Sequence, residues 1–277
     1  MDAVLLFSGQ GAQKVGMGKD LYDQYSVAKA LIEQADKALG ESLSAVMFEG
    51  PGEELTRTCN CQPALYVHGL ACLAVLKELV PSLNPVAAAG LSLGEFTAHA
   101  AAGTYSFEEG LRLVQKRGAF MEEACNATKG TMAAMIGGTD ENVIKLAQEC
   151  DVDVANFNCP GQTVVSGTEE GVAKAVAGAK AAGCKIAKKL NVAGAYHSRL
   201  MHSAMVKLAE ELKNISFGTP SMPVYCNYEA RVVEGPDDIR SMLEHQVCGS
   251  VRWTASMQKL VDQGHRLFIE LGPGKTL

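Results

Sequence analysis

The pentapeptide Gly90-Leu91-Ser92-Leu93-Gly94 constrains the fold more than any other stretch of this chain. It follows the apolar run PVAAAG and precedes an alanine-rich segment with helical periodicity. A G-x-S-x-G sequence between a strand and a helix is typical of a nucleophile elbow, which holds a serine on a sharp, strained turn. Its two glycines let the turn close without clashes. The alternative is an ordinary tight turn, so other residues must decide between the two.

The order of the predicted elements indicates an α/β protein. Residues 3–7 (AVLLF) form an apolar strand that ends in a glycine-rich loop, and helical patterns cover residues 21–39 and 63–79. The run PVAAAG is a second buried strand. These alternating elements predict a large domain with the serine turn at the end of a central strand.

After Cys125 the pattern changes to strand, helix, strand, strand, helix, strand, the βαββαβ order of a ferredoxin-like unit. We therefore expect residues 126–196 to form a small inserted domain. Residues 1–125 and 197–277 would form the larger domain, which we interpret as α/β-hydrolase-like. The second segment of that domain opens with a helix over about 198–212.

Charge and hydropathy exclude several classes of partner. The formal net charge is −6 and no long basic run occurs, so no nucleic acid or anionic membrane is expected as a ligand. No stretch of about 18 apolar residues is present, and the N-terminus lacks the basic region and cleavage site of a signal peptide. We expect a soluble, cytoplasmic protein; a plastid stroma is left open, because a removed transit peptide leaves no trace.

Neither the cysteines nor the glycine-rich loops predict a bound cofactor. Nine cysteines, an odd number without a pairing pattern, fit a reducing compartment. Cys59 and Cys61 form a lone C-x-C without a partner pair at zinc spacing. The sequence GPGKT lacks the first glycine of a phosphate loop, and Lys14 replaces the third glycine of the dinucleotide fingerprint. We expect no metal and no nucleotide cofactor.

A serine nucleophile requires a base, and six histidines are available. His68 and His99 lie inside predicted helices. His245 and His265 lie near loops or polar positions and have no distinguishing neighbour. His202 lies at the polar edge of its helix. His197 stands where the inserted domain returns the chain, and clefts form at domain junctions. We therefore predict that His197 is the base.

One charge lies on the wrong face of a helix. Ser106 and Glu109 form a capping box that opens a helix over residues 107–124. A helical wheel places Arg117 on its apolar face, where an unpaired guanidinium would be very costly. Two interpretations stay open: an internal ion pair with an acidic side chain, or a bidentate seat for a substrate carboxylate.

The elbow, His197 and Arg117 together resemble the malonyl-CoA:acyl carrier protein transacylase family of fatty acid synthesis. The resemblance extends over nearly the whole chain, in blocks that keep the family's order: FSGQGAQKVGMG, CQPAL, GLSLGEF, RLVQKRGAFM, NFNCPGQTVVSG, VAGAYHSRLM, HQVCGSVRW and ELGPGKTL. The family's fold, an α/β-hydrolase-like domain with a ferredoxin-like insertion, is similar to the organisation expected from the residues.

The resemblance implies a two-step acyl transfer. Ser92 would be the nucleophile, His197 its base, and Arg117 the ligand of the malonyl carboxylate. The substrate would be malonyl-CoA and the partner an acyl carrier protein, with no bound cofactor and no metal. We expect a monomer.

Further residues are assigned only by the resemblance. The backbone N–H groups of Gln10 and Leu93 would form an oxyanion hole, and the backbone carbonyl of Gln246 would orient His197. Three side chains match positions that line the family's site: Gln62, Asn156 and Asn158. Leu91 departs from the family, which commonly has histidine there, and the family commonly continues beyond the position of Leu277.

Three other functions remain open. A serine esterase or thioesterase would share the elbow, but it predicts an acidic partner for the histidine and gives Arg117 no role. An acyltransferase of a polyketide pathway would use the same residues. A non-catalytic module that docks carrier proteins would keep the fold alone.

Overall fold

The computed structural model describes residues 1–277, in which eight strands form two separate sheets. In chain order the strands are β1 Asp2–Phe7, β2 Asn84–Gly90, β3 Gly130–Ile136, β4 Asp153–Cys159, β5 Gln162–Thr168, β6 Ile186–Lys189, β7 Val224–Tyr225 and β8 Phe268–Leu271. Both predicted strands at the start of the chain, residues 3–7 and PVAAAG, are present as β1 and β2.

Twelve α-helices surround the sheets. They are α1 Lys19–Gln24, α2 Ser26–Leu39, α3 Leu43–Glu49, α4 Gly52–Thr56, α5 Thr58–Leu79, α6 Leu93–Ala101, α7 Phe107–Ala127, α8 Asp140–Glu149, α9 Glu169–Gly178, α10 His202–Lys213, α11 Pro236–Gln246 and α12 Trp253–Asp262. The capping box at the start of α7 is present, since the Ser106 side chain accepts from the Glu109 N–H and the Glu109 carboxylate accepts from the Ser106 N–H.

The first sheet is parallel, with the strand order β7-β2-β1-β8. Its central strands are apolar because both faces are covered, and all five residues of β1 from Ala3 to Phe7 are buried. Phe7, the last residue of β1, pairs with Gly90, the last residue of β2. The loops that follow these two strands therefore meet at one edge of the sheet, where α/β proteins bind ligands.

The second sheet is antiparallel, with the order β4-β5-β3-β6, and its elements follow one another as βαββαβ. Side chains alternate between its faces, as the pleat requires. Ala133 and Met135 pack in a small core with α8 and α9, whereas Met132 on the opposite face joins the main core of the protein. The chain is therefore an α/β protein with one parallel and one antiparallel sheet, and one face of the antiparallel sheet packs on the main core.

Several predicted boundaries were wrong. The helix predicted over residues 21–39 is broken at Tyr25, whose φ of −127° and ψ of 119° are extended. The helix expected from residue 63 begins at Thr58, so that Pro63 lies inside it. His245, expected near a loop, is in α11, a helix that the sequence pattern did not predict.

Helix α5 is long and apolar enough to cross a membrane by length and composition alone, although no such stretch was expected. Within the fold, however, 72% of its apolar window is buried. Its apolar residues pack in the main core, so the composition of α5 is explained by its place at the centre of the protein.

Candidate active site

The turn between β2 and α6 has the strained geometry of a nucleophile elbow. Ser92 has a φ of 53° and a ψ of −105°, a conformation that residues other than glycine rarely adopt. A Cβ atom at position 90 would overlap the carbonyl group of Gly94, and one at position 94 would overlap the carbonyl oxygen of Phe7. Close backbone contacts therefore require glycine at both positions. An ordinary tight turn, the alternative left open by the sequence, does not have this geometry.

Asn227, which the sequence analysis missed, clamps this elbow. Its Oδ1 accepts a hydrogen bond of 2.6 Å from the Ser92 N–H, and its Nδ2 donates one of 2.8 Å to the Gly90 carbonyl. The two bonds tie down both sides of the turn, so they stabilise the unfavourable backbone angles of Ser92. No local pattern around Asn227 distinguishes it, because its partners are 135 and 137 residues away.

His197 links the serine to a backbone carbonyl. Its Nε2 lies 2.7 Å from Ser92 Oγ and its Nδ1 lies 2.9 Å from the carbonyl oxygen of Gln246, at the end of α11. Since a carbonyl only accepts, Nδ1 carries the proton and Nε2 is free to accept one. Burial, assisted by the charge of Arg117, lowers the pKa of His197 from 6.5 to about 4. The neutral imidazole is therefore the form present near pH 7.

Arg117 is among the most buried side chains of the protein, at 1% exposure. Its Nη1 donates to Gln62 Oε1 at 2.6 Å, and its Nη2 donates to Ser92 Oγ at 3.1 Å and to Gln246 Oε1 at 3.0 Å. All three acceptors are neutral oxygens, so the direct ion pair considered from the sequence is not formed. Burial lowers the pKa of Arg117 to about 10, which leaves the guanidinium charged at neutral pH.

A cavity of about 410 Å³ opens above the serine, between the two sheets. Eight of the nine residues singled out from the sequence line it: Gln10, Gln62, Ser92, Leu93, Arg117, Asn156, Asn158 and His197. The ninth, Gln246, lies behind the cavity with an exposure of 0% and touches it only through the residues that it holds. One side of the cavity is formed by the loops after β1 and β2 and by α5 and α7, and the other by strands β3, β4 and β5 of the second sheet, so neither side alone would form this site.

Two backbone N–H groups at the cavity are free. Gln10 follows β1 and Leu93 opens α6, and neither N–H has a hydrogen-bond partner within the protein. The pairing of Phe7 with Gly90 brings these two loops together. Donors placed beside a nucleophile in this way can stabilise negative charge that develops on a substrate oxygen.

Glu95 is a second buried ionisable side chain, and it was not among the residues predicted from the sequence. It lies in the first turn of α6 with an exposure of 0%. Its Oε2 accepts from the Asn227 N–H at 2.8 Å and from Gln246 Nε2 at 2.6 Å, whereas Oε1 has no partner. The signal was available, because an acidic residue in an apolar, alanine-rich helix is the same kind of anomaly that pointed to Arg117.

The side chains gathered here do not form a metal centre. The nine cysteines are free thiols, and no three His, Cys, Asp or Glu side chains are placed to hold a metal ion. The chemistry that this arrangement offers is nucleophilic, because one serine contacts both a neutral histidine and a buried cation.

Comparisons with known proteins agree with one another. The acyl transferase domain family matches residues 4–277. The malonyl CoA-acyl carrier protein transacylase of Bacillus subtilis (strain 168) is 44% identical over 277 residues, which cover 98% of this chain and 87% of that protein. An acyl carrier protein S-malonyltransferase from Vibrio cholerae is 38% identical with a TM-score of 0.94, over 98% of this chain and 90% of that one. A malonyl-transacylase in complex with its type II PKS acyl-carrier protein is 36% identical with a TM-score of 0.96, over 100% and 90%.

Proposed function

The chain belongs to the family of malonyl CoA-acyl carrier protein transacylases, and from that membership we propose its reaction. It transfers the malonyl group of malonyl-CoA to the phosphopantetheine thiol of an acyl carrier protein through a malonyl-serine intermediate. The observation that carries this proposal is the contact of Ser92 with both His197 and Arg117 at the base of the cavity. Nucleophile, base and carboxylate ligand are then within reach of one bound acyl group.

The first half-reaction acylates the serine. Ser92 Oγ gives its proton to His197 Nε2 and attacks the thioester carbonyl carbon of malonyl-CoA. The tetrahedral intermediate collapses, the carbon–sulfur bond breaks, and the leaving coenzyme A thiolate takes the proton from Nε2. His197 returns to its neutral form, and the malonyl group remains on Oγ as an ester.

The second half-reaction repeats these steps in the opposite direction. The phosphopantetheine thiol gives its proton to His197 Nε2, and its sulfur attacks the carbonyl carbon of the malonyl-serine ester. The ester bond breaks, and Ser92 Oγ recovers the proton from Nε2. Protons and bonds balance with side chains alone, so the proposal calls for no metal and no bound cofactor.

The reaction places negative charge at two points, the oxyanion and the malonyl carboxylate, and the site has donors for both. The free N–H groups of Gln10 and Leu93 would donate to the oxyanion of each tetrahedral intermediate. Arg117 would bind the malonyl carboxylate, since three hydrogen bonds to neutral oxygens leave its positive charge without a direct counter-ion. Gln62, Asn156 and Asn158 would complete the walls around the acyl chain.

The alternatives fit the contacts less well. An esterase or thioesterase predicts an acidic partner for the histidine, whereas Nδ1 of His197 donates to the backbone carbonyl of Gln246. A docking module would have no need of a strained serine in contact with a histidine. The transfer reaction uses Ser92, His197 and Arg117 together.

We propose that the two sheets mark two domains, with residues 126–196 inserted between residues 1–125 and 197–277. The order β4-β5-β3-β6 and the βαββαβ sequence support a ferredoxin-like label for the insertion. The serine elbow at the end of a central parallel strand supports an α/β-hydrolase-like label for the larger domain.

We also propose a pathway and a compartment. The 44% identity to the relative from Bacillus subtilis favours fatty acid biosynthesis, and the similarity to a type II PKS malonyl-transacylase keeps polyketide synthesis as the alternative. The relatives with a named organism are bacterial, so a bacterial cytoplasm is proposed, and nothing supports a plastid stroma. A monomer and the absence of nucleic-acid and membrane partners stay predictions.

Intact-protein mass spectrometry after incubation with malonyl-CoA tests the reaction. The proposal expects one stable malonyl adduct per chain, which disappears when an acyl carrier protein with a free phosphopantetheine thiol is added. Release of free malonate without an adduct would favour a thioesterase. No change in mass and no turnover would favour a docking module.

His197→Ala is expected to lower the rate of serine acylation by about 100- to 10,000-fold, because the serine proton then has no positioned acceptor. The measurement is the rate of adduct formation after rapid mixing with malonyl-CoA. His202→Ala, a histidine five residues along the chain and exposed on α10, is the matched control. The assignment is wrong if His202→Ala slows acylation and His197→Ala does not.

The pH profile should report the low pKa of His197. Only the neutral imidazole accepts a proton, and burial lowers the pKa of this side chain to about 4. We expect kcat/KM for malonyl-CoA to stay level from about pH 8 to about pH 5, and to fall roughly tenfold per pH unit below about pH 4. A fall centred near pH 6.5 would contradict this assignment.

Unfolding in acid must be measured at the same time. His197, with a pKa of about 4 in the fold and 6.5 in the unfolded chain, stabilises the fold above pH 6.5 and loses that contribution as the pH falls through about 4. The pKa values of His68 and His99 are lowered in the same direction by burial. Glu95, whose pKa burial raises to about 7, acts oppositely and loses its contribution as the pH rises through 7. Denaturation midpoints at each pH separate unfolding from loss of the base.

A further inference from the structure

Glu95 is the one fully buried carboxylate in contact with the residues of the proposed reaction, and the reaction itself does not use it. Burying a carboxylate is costly unless its oxygens have donors. Here only Oε2 is satisfied, by the Asn227 N–H and by Gln246 Nε2, and Oε1 has no partner. A side chain kept at that cost needs an explanation beyond packing.

The position of Glu95 fixes the orientation of the Gln246 amide. Carboxylate oxygens accept and guanidinium groups only donate, so the amide must turn its NH₂ to Glu95 and its oxygen to Arg117. The distances agree: Gln246 Nε2 lies 2.6 Å from Glu95 Oε2, and Gln246 Oε1 lies 3.0 Å from Arg117 Nη2. The reversed amide would point an NH₂ group at the guanidinium.

The same amide also holds the main chain of the nucleophile. Gln246 Nε2 donates to the Ser92 carbonyl oxygen at 2.9 Å in addition to Glu95. On its other side, Glu95 Oε2 accepts from the backbone N–H of Asn227, whose side chain clamps the elbow. Glu95 Oε2 therefore accepts hydrogen bonds from Asn227 and Gln246, the two residues that hold the backbone of Ser92.

We propose that Glu95 is a positioning residue that determines acyl specificity: its Oε2 orients the Gln246 amide, and through it places the Arg117 guanidinium where a malonyl carboxylate binds. This inference rests on the proposed function, and it adds a residue that touches neither substrate nor reacting atoms. Without the carboxyl oxygen, the Gln246 NH₂ group keeps only the Ser92 carbonyl as an acceptor, so the amide is held less firmly. Arg117 then loses the fixed position of one of its three acceptors.

Glu95 holds the Gln246 amide mainly because its Oε2 accepts a hydrogen bond, and its negative charge matters less. Burial raises the pKa of Glu95 to about 7, against the opposing effects of Asn227, Gln246 and Arg117. The other titratable groups that its charge reaches, Tyr105 and Cys226, are neutral there because burial raises the pKa of both. Near neutral pH the carboxyl group is thus partly protonated, and glutamine is a close mimic of it.

Two variants of nearly equal size separate the acceptor from the packing. Glu95→Gln keeps an oxygen for Asn227 N–H and Gln246 Nε2, and Glu95→Met fills the same space without one. The readout is the ratio of kcat/KM for malonyl-CoA to that for acetyl-CoA. We expect Glu95→Gln to keep the ratio of the parent within about threefold, and Glu95→Met to lower it about 10- to 100-fold through a misplaced guanidinium.

A merely structural role would give another pattern. Glu95→Met would then lower the melting temperature and slow both substrates alike, and an unchanged ratio would overturn the positioning role. If Glu95→Met does not fold, Glu95→Asp, which withdraws the carboxylate by about one bond length, must lower the ratio, and a parental ratio there overturns the inference equally. An equal loss in Glu95→Gln and Glu95→Met would also overturn it, since the acceptor would then be irrelevant.

A double-mutant cycle identifies the route of the effect. If Glu95 acts through the Gln246 amide, adding Glu95→Met to Gln246→Met should change the ratio no further, whereas independent effects would multiply. The backbone carbonyl that orients His197 is present in every variant. If the parent prefers malonyl-CoA and Glu95→Met keeps that preference, the positioning role of Glu95 is wrong. The proposed function is unaffected by that result.

Discussion

Ser92→Ala is expected to abolish malonyl transfer, with a loss in kcat on the order of 10⁴- to 10⁶-fold, because the acyl-enzyme intermediate has no oxygen on which to form. The fold should be retained. The hydroxyl bonds only to His197 and Arg117, and the backbone of the elbow is held by Asn227 and the two glycines. Alanine has no greater difficulty than serine with a φ of 53°, since both carry a Cβ.

Intact mass and peptide mapping measure this outcome directly. The parent should carry one malonyl group on the peptide that contains Ser92, and the Ser92→Ala protein should carry none. Ser203→Ala, at an exposed position on α10, is the control for a serine lost outside the site. A malonyl adduct on the Ser92→Ala protein, or on any other peptide of the parent, would show that the nucleophile lies elsewhere.

Arg117→Ala is expected to remove the preference for malonyl over acetyl groups. Charge-assisted hydrogen bonds contribute roughly 1.5 to 3 kcal/mol each, and a bidentate contact with the malonyl carboxylate supplies two, so malonyl transfer should fall about 100-fold or more. In the parent, acetyl-CoA leaves the buried charge without its anion and should be the poorer substrate. Acetyl-CoA should therefore lose little in the variant and become comparable to malonyl-CoA.

The measurement is kcat/KM for malonyl-CoA and acetyl-CoA in the parent and its variants. Arg117→Lys should recover only part of the preference, since an ammonium keeps the charge but lacks the fork of donors. Arg112→Ala is the matched control, because Arg112 lies on the same helix with its side chain 51% exposed. If Arg117→Ala keeps the malonyl preference of the parent, the arginine is structural.

The melting temperature of each Arg117 variant must also be measured. Removing the guanidinium leaves the buried oxygens of Gln62 and Gln246 without their donor, and each such loss costs about 1 to 3 kcal/mol. A loss of stability would slow both substrates through a smaller folded fraction. The ratio between the two substrates is insensitive to that fraction, so it isolates the carboxylate contact.

The sequence was most informative where the signal is local. The apolar strand, the two glycines and the alanine-rich helix lie within one short segment, and together they predicted the strained turn at Ser92. The capping box of Ser106 and Glu109 is equally local and is present. Such features depend on backbone geometry within a few residues, which a single sequence displays in full.

The partners of the buried charges could not be found in this way. The helical wheel showed that Arg117 needs a partner, but the oxygens that satisfy it are 55, 25 and 129 residues away. These oxygens lie on α5, at the start of α6 and at the end of α11, and α11 was not predicted at all. Hydrogen bonds between distant elements are fixed by the fold, so they leave no periodic trace along the chain.

Gln246 divides two tasks between its main chain and its side chain. The carbonyl that orients His197 belongs to the backbone, whereas the amide that meets Arg117 and Glu95 belongs to the side chain. If Gln246 positions Arg117 as we propose, a substitution at this position would alter the choice of acyl group and leave in place the backbone carbonyl that orients His197. Substrate choice could therefore change in few mutational steps during evolution. The backbone carbonyl would still orient His197 while the side chains around the acyl group were replaced.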